Sequence, residues 1–211
     1  MSRDREAKPA AGLYNICYVN GFQTQPQDNA KWLRDHPELI VHDKNGEPVE
    51  DENWGEYLFD TSTTEKRAAL LEIVGAWITG CADSGFDAVE VDNLDSYSRS
   101  GGQLKEDHNV AFIQSLSEVA HSAKLAIGQK NSAELLPRRS AMGTDFAVAE
   151  ECNHWQECGD YQEAYGNLVY VIEYEKADFD AGCKDYPELS IVLRDLNVSS
   201  PSSNSYVYDG C

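Results

Sequence analysis

Asp92 and Glu150 are the two side chains best placed by their surroundings to do chemistry. Asp92 closes the run Gly85-Phe-Asp-Ala-Val-Glu-Val-Asp-Asn-Leu-Asp-Ser-Tyr97, an alternating apolar segment that ends in acids, an Asn and a Tyr. Strand side chains alternate between faces with a period of two, so Ala88, Glu90 and Asp92 share one face while Val89 and Val91 share the other. A carboxylate on a buried strand is costly unless it is paired, hydrogen-bonded or used. The run Asp145-Phe-Ala-Val-Ala-Glu-Glu-Cys152 repeats the design, an apolar strand stopping at Glu150 and Glu151. Acids delivered at the C-terminal ends of separate strands are how an α/β barrel builds a site for acid–base chemistry.

Those strands must sit in a fold with enough core to hold them. At 211 residues and 41% hydrophobic, the chain carries one sizeable domain. Six strand-like runs are expected, at Leu13–Gly21, Phe86–Asp92, Leu125–Gln129, Phe146–Glu150, Leu168–Glu173 and Leu189–Leu193. Helix-period stretches separate most of them, including one capped near Thr63 that ends near Gly80 or Gly85, and one over Glu106–Ser122. That alternation predicts a parallel sheet with right-handed crossovers. Polar residues recur at all the strand ends, among them Asn20, Asn93, Lys130, Asn131, Glu173 and Tyr174. A doubly wound sheet draws its site from fewer strands, so the pattern favours a closed barrel. Only six strands are visible, two short of eight. The expected division is a disordered or non-native stretch over residues 1–12, a partial barrel over 13–198, and a polar tail over 199–211.

Charge narrows the partners. With 37 acidic and 17 basic residues, the formal net charge is −20. Nucleic acid and anionic membranes need clustered Lys and Arg and are excluded, whereas a cationic ligand would be drawn in. No apolar run approaches the ~20 residues of a membrane span. The six cysteines suit an oxidising compartment, with Cys152, Cys158, Cys183 and Cys211 as disulfide candidates. Cys17, inside an apolar strand, reads as a small buried hydrophobe. No secretory signal is visible at the N-terminus. The five histidines are scattered, so no metal ligand set is assigned.

Four motifs occur in order: Val-Glu-Val-Asp-Asn-Leu-Asp-Ser-Tyr (89–97), Ile-Gly-Gln-Lys-Asn (127–131), Ala-Glu-Glu-Cys-Asn (149–153) with Cys158, and Val-Ile-Glu-Tyr (171–174). Together they resemble glycoside hydrolase family 114, the endo-α-1,4-polygalactosaminidases, over roughly residues 13–196. The resemblance implies a (β/α)8 TIM-type barrel, with Asp92 and Glu150 as the catalytic pair and no cofactor. It implies a secreted, extracellular enzyme acting on a cationic amino-sugar polysaccharide, and says nothing of protein partners. Two departures stand out. Family members usually begin with segments supplying two further strands, so the chain reads as lacking its N-terminal quarter, a signal peptide included. Position 149 is Ala where the family more often has Asn, which removes one expected hydrogen bond beside Glu150.

Glycosidic cleavage needs a proton donor and a carboxylate nucleophile or stabiliser. Glu150, approached through Phe146, Ala147 and Val148, suits the acid; Asp92, flanked by Asn93 and Asp95, suits the nucleophile. Glu90, one step deeper, is expected to support Asp92 or pair with Lys130. Lys130 either neutralises the acid cluster or forms a plain ion pair. Tyr18, Asn20, Asn93, Asp95, Tyr97, Asn131, Glu173 and Tyr174 are candidate sugar contacts. Trp155, inside the possible Cys152–Cys158 loop, is either a stacking platform or a loop anchor. Two other readings stay open: a non-catalytic carbohydrate-binding remnant, and a metal-dependent lyase or aldolase on the same barrel.

Overall fold

The computed structural model describes all 211 residues. Ten strands are present: β1 (Ser2–Asp4), β2 (Ile16–Asn20), β3 (Glu50–Asp51), β4 (Glu56–Tyr57), β5 (Ala88–Asp92), β6 (Ala126–Lys130), β7 (Phe146–Glu150), β8 (Val169–Glu173), β9 (Ser190–Arg194) and β10 (Tyr208–Gly210). The helices are α1 (Asn29–Asp35), α2 (Thr64–Ser84), α3 (Ser96–Arg99), α4 (Glu106–Ser122), α5 (Arg139–Met142), α6 (Cys158–Tyr165) and α7 (Lys176–Asp185). Eight strands form one sheet in the order β1-β2-β5-β6-β7-β8-β9-β10. Every neighbouring pair is parallel except β9 and β10. Strands β3 and β4 form a separate antiparallel hairpin. The sheet curls into a half-barrel, an incomplete (β/α)8 architecture.

Period-two alternation sorts the side chains. Ile16, Ala88, Phe146 and Val148 cluster on the concave face, against Ala126, Tyr170 and Ile172. The opposite face packs under the helices in two larger clusters, one on α2 and α4 and one on α6 and α7. Helix α2 begins where the Thr63 side chain accepts the Lys66 amide at 3.2 Å and ends at Gly85, whose φ of +90° a side chain would strain. Between them Leu70, Val74, Ile78 and Cys81 bury one stripe at helical spacing. Gly128 answers a close approach instead: a Cβ there would lie 2.4 Å from the Phe146 ring.

The ends of the chain differ from expectation. Ser2–Asp4 is an edge strand, registered Ser2 to Ile16 and Asp4 to Tyr18. Its side chains are polar and partly exposed, so no hydrophobic pattern marks it. Tyr208–Gly210 pairs with β9, and a Cys183–Cys211 disulfide fastens it. The six expected strands all form; these two short edges bring the sheet to eight.

A second disulfide joins Cys152 and Cys158, and a third joins Cys17 to Cys81. The third corrects the reading of Cys17 as a lone hydrophobe. Cys17 does sit in the core, but it faces the α2 stripe, where Cys81 is the last buried residue. Sequence spacing could not show this, because the partners lie 64 residues apart. Closing so long a loop restricts the unfolded chain strongly, so Cys17→Ala with Cys81→Ala should lower stability by about 4 kcal/mol. Urea denaturation checks this, and a loss below about 1 kcal/mol would contradict it.

Candidate active site

A cavity of about 880 Å³ opens over the C-terminal ends of the parallel strands. Strands β2, β5, β6 and β7, and the residue just past β8, send side chains into it: Tyr18, Asp92, Lys130, Glu150 and Tyr174. Ten acidic residues and three basic ones line it, so the cleft concentrates much of the negative charge. Such a wall favours a cationic ligand.

Lys130 links the two acids. Its ammonium lies 3.5 Å from Asp92 Oδ2 and 3.4 Å from Glu150 Oε2. The two carboxylate oxygens are therefore no more than about 7 Å apart, within the separations glycosidases use. Asp92 Oδ2 also accepts the Tyr18 hydroxyl at 2.8 Å, and its Oδ1 accepts the Asn93 amide at 2.9 Å. On the other side Glu150 Oε1 accepts the Tyr174 hydroxyl and Oε2 accepts Asn131 Nδ2 at 2.9 Å. Asn131 Oδ1 in turn receives the Glu150 amide at 2.8 Å. Both acids keep partial exposure, 20% and 25%, so a ligand can reach them. The apolar approach expected for Glu150 does not enclose its carboxyl, which is surrounded by donors.

Electrostatics follows from this crowding. Burial alone would lower the Lys130 pKa, but Asp92, Glu90 and Glu150 together raise it, and it stays charged. Burial raises both tyrosines, with Asp92 adding to Tyr18 and Glu150 to Tyr174, so both remain donors. Glu90 lies below, 4% exposed with Oε2 unpartnered. Burial pushes its pKa up to about 7 against the pull of Lys130.

Three turns just past the strand ends share one feature. Asn93, Asn131 and Glu151 follow Asp92, Lys130 and Glu150, and have φ of +64°, +50° and +58°. Ser132 continues the second turn at +62°. Left-handed backbone at non-glycine residues persists where the surroundings hold it. Buried Gln129 provides that behind β6, donating to the carbonyls of Asn131 and Ser132, each at 2.8 Å.

The sequence model of the Glycoside-hydrolase family GH114 matches residues 2–211. The chain belongs to this family. It is thus a glycoside hydrolase. Among solved structures, this GH114 chain is similar to Ega3 of Aspergillus fumigatus in complex with galactosamine, at 23% identity and a TM-score of 0.74, covering 95% of this chain and 80% of that one. The glycoside hydrolase domain of PelA from Pseudomonas aeruginosa follows at 14% identity and a TM-score of 0.59, covering 93% and 82%. At these identities the likeness speaks for the fold. No curated protein matches the sequence.

Of the residues singled out from the GH114 sequence, Tyr18, Asn93, Asp95, Lys130, Asn131, Trp155 and Tyr174 line the cleft beside Asp92 and Glu150. Trp155 is 63% exposed on the loop that the Cys152–Cys158 disulfide closes. Asn20 sits behind the cleft, donating from Nδ2 to Glu56 Oε2 at 2.8 Å. Tyr97 turns aside, its hydroxyl donating to Glu134 Oε1 at 2.6 Å. Glu173 does not reach the cleft: it shares the helix-side face of β8 with Val169 and Val171, fully buried, and accepts the Asn153 amide at 2.9 Å. Glu173 also lies close to Cys152 and Cys158, whose sulfurs are joined to one another. Ala149 is buried on the same helix-side layer, so the carboxamide beside Glu150 comes from Asn131. Among the cleft residues that escape sequence reading are Trp54 and Glu56. Both lie in the long polar insertion between β2 and α2, where no periodicity points inward.

Buried acids give the fold a pH dependence. Burial raises Glu56 and Glu90 to about 7 and Glu173 to about 6. These groups keep their protons in the native state where the unfolded chain has lost them, so stability declines as pH rises from about 4.5 through 7. Lys130, raised above its ordinary value, contributes uniformly across that window. Urea midpoints should be higher at about pH 5 than at about pH 7.5, with unfolding free energies that differ on the order of a few kcal/mol. A midpoint rising over that range would contradict the assignment.

Proposed function

We propose that this GH114 enzyme is an endo-acting hydrolase of α-1,4-linked galactosamine-rich polysaccharide, with Glu150 as general acid/base and Asp92 as nucleophile. The observation that carries the reading is the pair of partly exposed carboxylates held about Lys130 at the mouth of an acidic cleft. Protonated amines on the polymer complement the ten acids of the wall. An open cleft about 880 Å³ in volume admits a chain interior as readily as an end, which suits endo cleavage. Trp54 and Trp155, both exposed on its rim, offer apolar faces to sugar rings.

Glu150 would protonate the leaving oxygen while Asp92 attacks the anomeric carbon; Glu150 then deprotonates the water that releases the sugar. A separation bounded at about 7 Å leaves little of the inverting range, which supports retention of configuration. Asn131 and Tyr174 would hold Glu150 in aim, as Tyr18 holds Asp92. Neither step calls for a metal or organic cofactor. The galactosamine complex of a similar fold is in keeping with the substrate, and three disulfides are in keeping with an extracellular setting. No helix is long and apolar enough to cross a membrane.

The test is incubation with α-1,4-linked polygalactosamine, following chain length and the anomeric configuration of new ends by NMR. Rapid shortening into oligosaccharides, slowed by added salt, is expected. Absence of cleavage sinks the reading. Release of single sugars without shortening removes its endo part, and inverted products remove the nucleophile.

A further inference from the structure

Glu56 has no part in the steps above, yet it is bound to their machinery. It stands directly across the β3–β4 hairpin from Asp51, a like-charge pairing that a strand pair disfavours. Asp51 is served separately, by Arg99 Nε at 3.1 Å and Gln23 Nε2 at 3.2 Å. Glu56 points instead to the back of the cleft. Its Oε2 accepts Asn20 Nδ2 at 2.8 Å and Asn93 Nδ2 at 3.5 Å. Asn20 Oδ1 accepts Asn93 Nδ2 at 2.9 Å, and Arg99 Nη2 donates to Asn93 Oδ1 at 3.2 Å. Both ends of the Asn93 carboxamide are thereby held. This is the residue whose left-handed backbone aims its amide at Asp92 Oδ1.

We propose that Glu56 is a positioning residue for hydrolysis: through Asn20 and Asn93 it clamps the turn that orients the Asp92 carboxylate toward Glu150. The proposal rests on the reading of Asp92 as a catalytic carboxylate. Charged groups facing Glu56 come from three elements, Asp51 on β3, Asp92 on β5 and Arg99 on α3. Asn20 on β2 provides the closest contact, and it is neutral, so hydrogen bonding carries the clamp.

A mutant cycle on kcat and KM for polygalactosamine separates this role from a purely structural one. The variants are Glu56→Ala, Asn93→Gly and the double replacement, with Asp92→Asn alongside. Glycine adopts a φ of +64° freely while deleting the carboxamide, so the turn survives without its clamp. Glu56→Ala should lower kcat about 30-fold with KM within about twofold, since a misaligned reactive group loses rate more than binding. Asn93→Gly should lose kcat similarly, and the double variant should fall no further, because the path from Glu56 to Asp92 runs through Asn93. Equal Glu56→Ala losses in both backgrounds, a loss confined to KM, or an unchanged kcat in Asn93→Gly each overturns the proposal. Should Glu56→Ala fail to fold, the Asn93→Gly result alone decides. Retained activity in Asp92→Asn instead overturns the underlying reading of the site, whatever the cycle shows.

Discussion

Asp92→Asn and Glu150→Gln are each expected to lower kcat by a factor of about a thousand or more, with the fold intact. The two losses have different physical origins. Asp92→Asn removes the nucleophilic charge and leaves one oxygen for two sets of donors, the Asn93 amide at Oδ1 and the Tyr18 hydroxyl with Lys130 Nζ at Oδ2. The carboxamide introduced by Glu150→Gln cannot donate a proton to a leaving oxygen. Its oxygen can stay where Asn131 Nδ2 and Lys130 Nζ donate, with its amide facing the Tyr174 hydroxyl, which can rotate to accept. Asp92→Asn should therefore show a modest stability loss that Glu150→Gln lacks. Initial rates and thermal unfolding of both variants check this, and activity near the wild-type level in either removes that residue from its role.

The second large effect concerns Lys130. Its side chain is 7% exposed, and its ammonium meets Asp92 and Glu150 and lies 5.5 Å from the centre of the Tyr18 ring. Glu90 lies beneath it and adds to the field that keeps it charged. Lys130→Met keeps the aliphatic stem but leaves three carboxylates without a cation between them. Removing one partner of such a buried set typically costs about 3–5 kcal/mol, and that loss is expected at about pH 7. At about pH 4.5 it should shrink, because Glu90, which burial raises to about 7, is then protonated and adds no charge to the set. Denaturation at the two pH values separates this from simple loss of packing, which would be the same at both. Activity should fall as well, since the two acids would no longer be held about a common centre.

The GH114 sequence disclosed its strands because a parallel sheet covered on both faces needs apolar runs, and alternation within them assigned Glu90, Asp92 and Glu150 to the cleft side. Alternation could also have placed Glu173. It has the parity of Val169 and Val171, which point to the helices, while Ile172 and Tyr174 point inward. Its position at a strand end outweighed its register. Trp54 and Glu56 were invisible for another reason. They sit on a two-residue-strand hairpin whose placement depends on Gln23, Asn20 and Arg99, contacts between distant parts of the chain. Ser2–Asp4 gave no signal because an edge strand this short and polar is held by its ladder to β2.

The left-handed turns after Asp92, Lys130 and Glu150 bear on how this enzyme could be engineered. Backbone of this kind at Asn93, Asn131 and Glu151 holds about 1 kcal/mol of strain per residue, which glycine would relieve. A screen that ranks variants by heat resistance alone would therefore favour glycine at Glu151, whose side chain holds no part of its turn. Asn93 and Asn131 donate side-chain hydrogen bonds that glycine lacks. Robustness and turnover both draw on those bonds, so a library meant to harden the protein should vary Glu151 and leave the other two codons untouched.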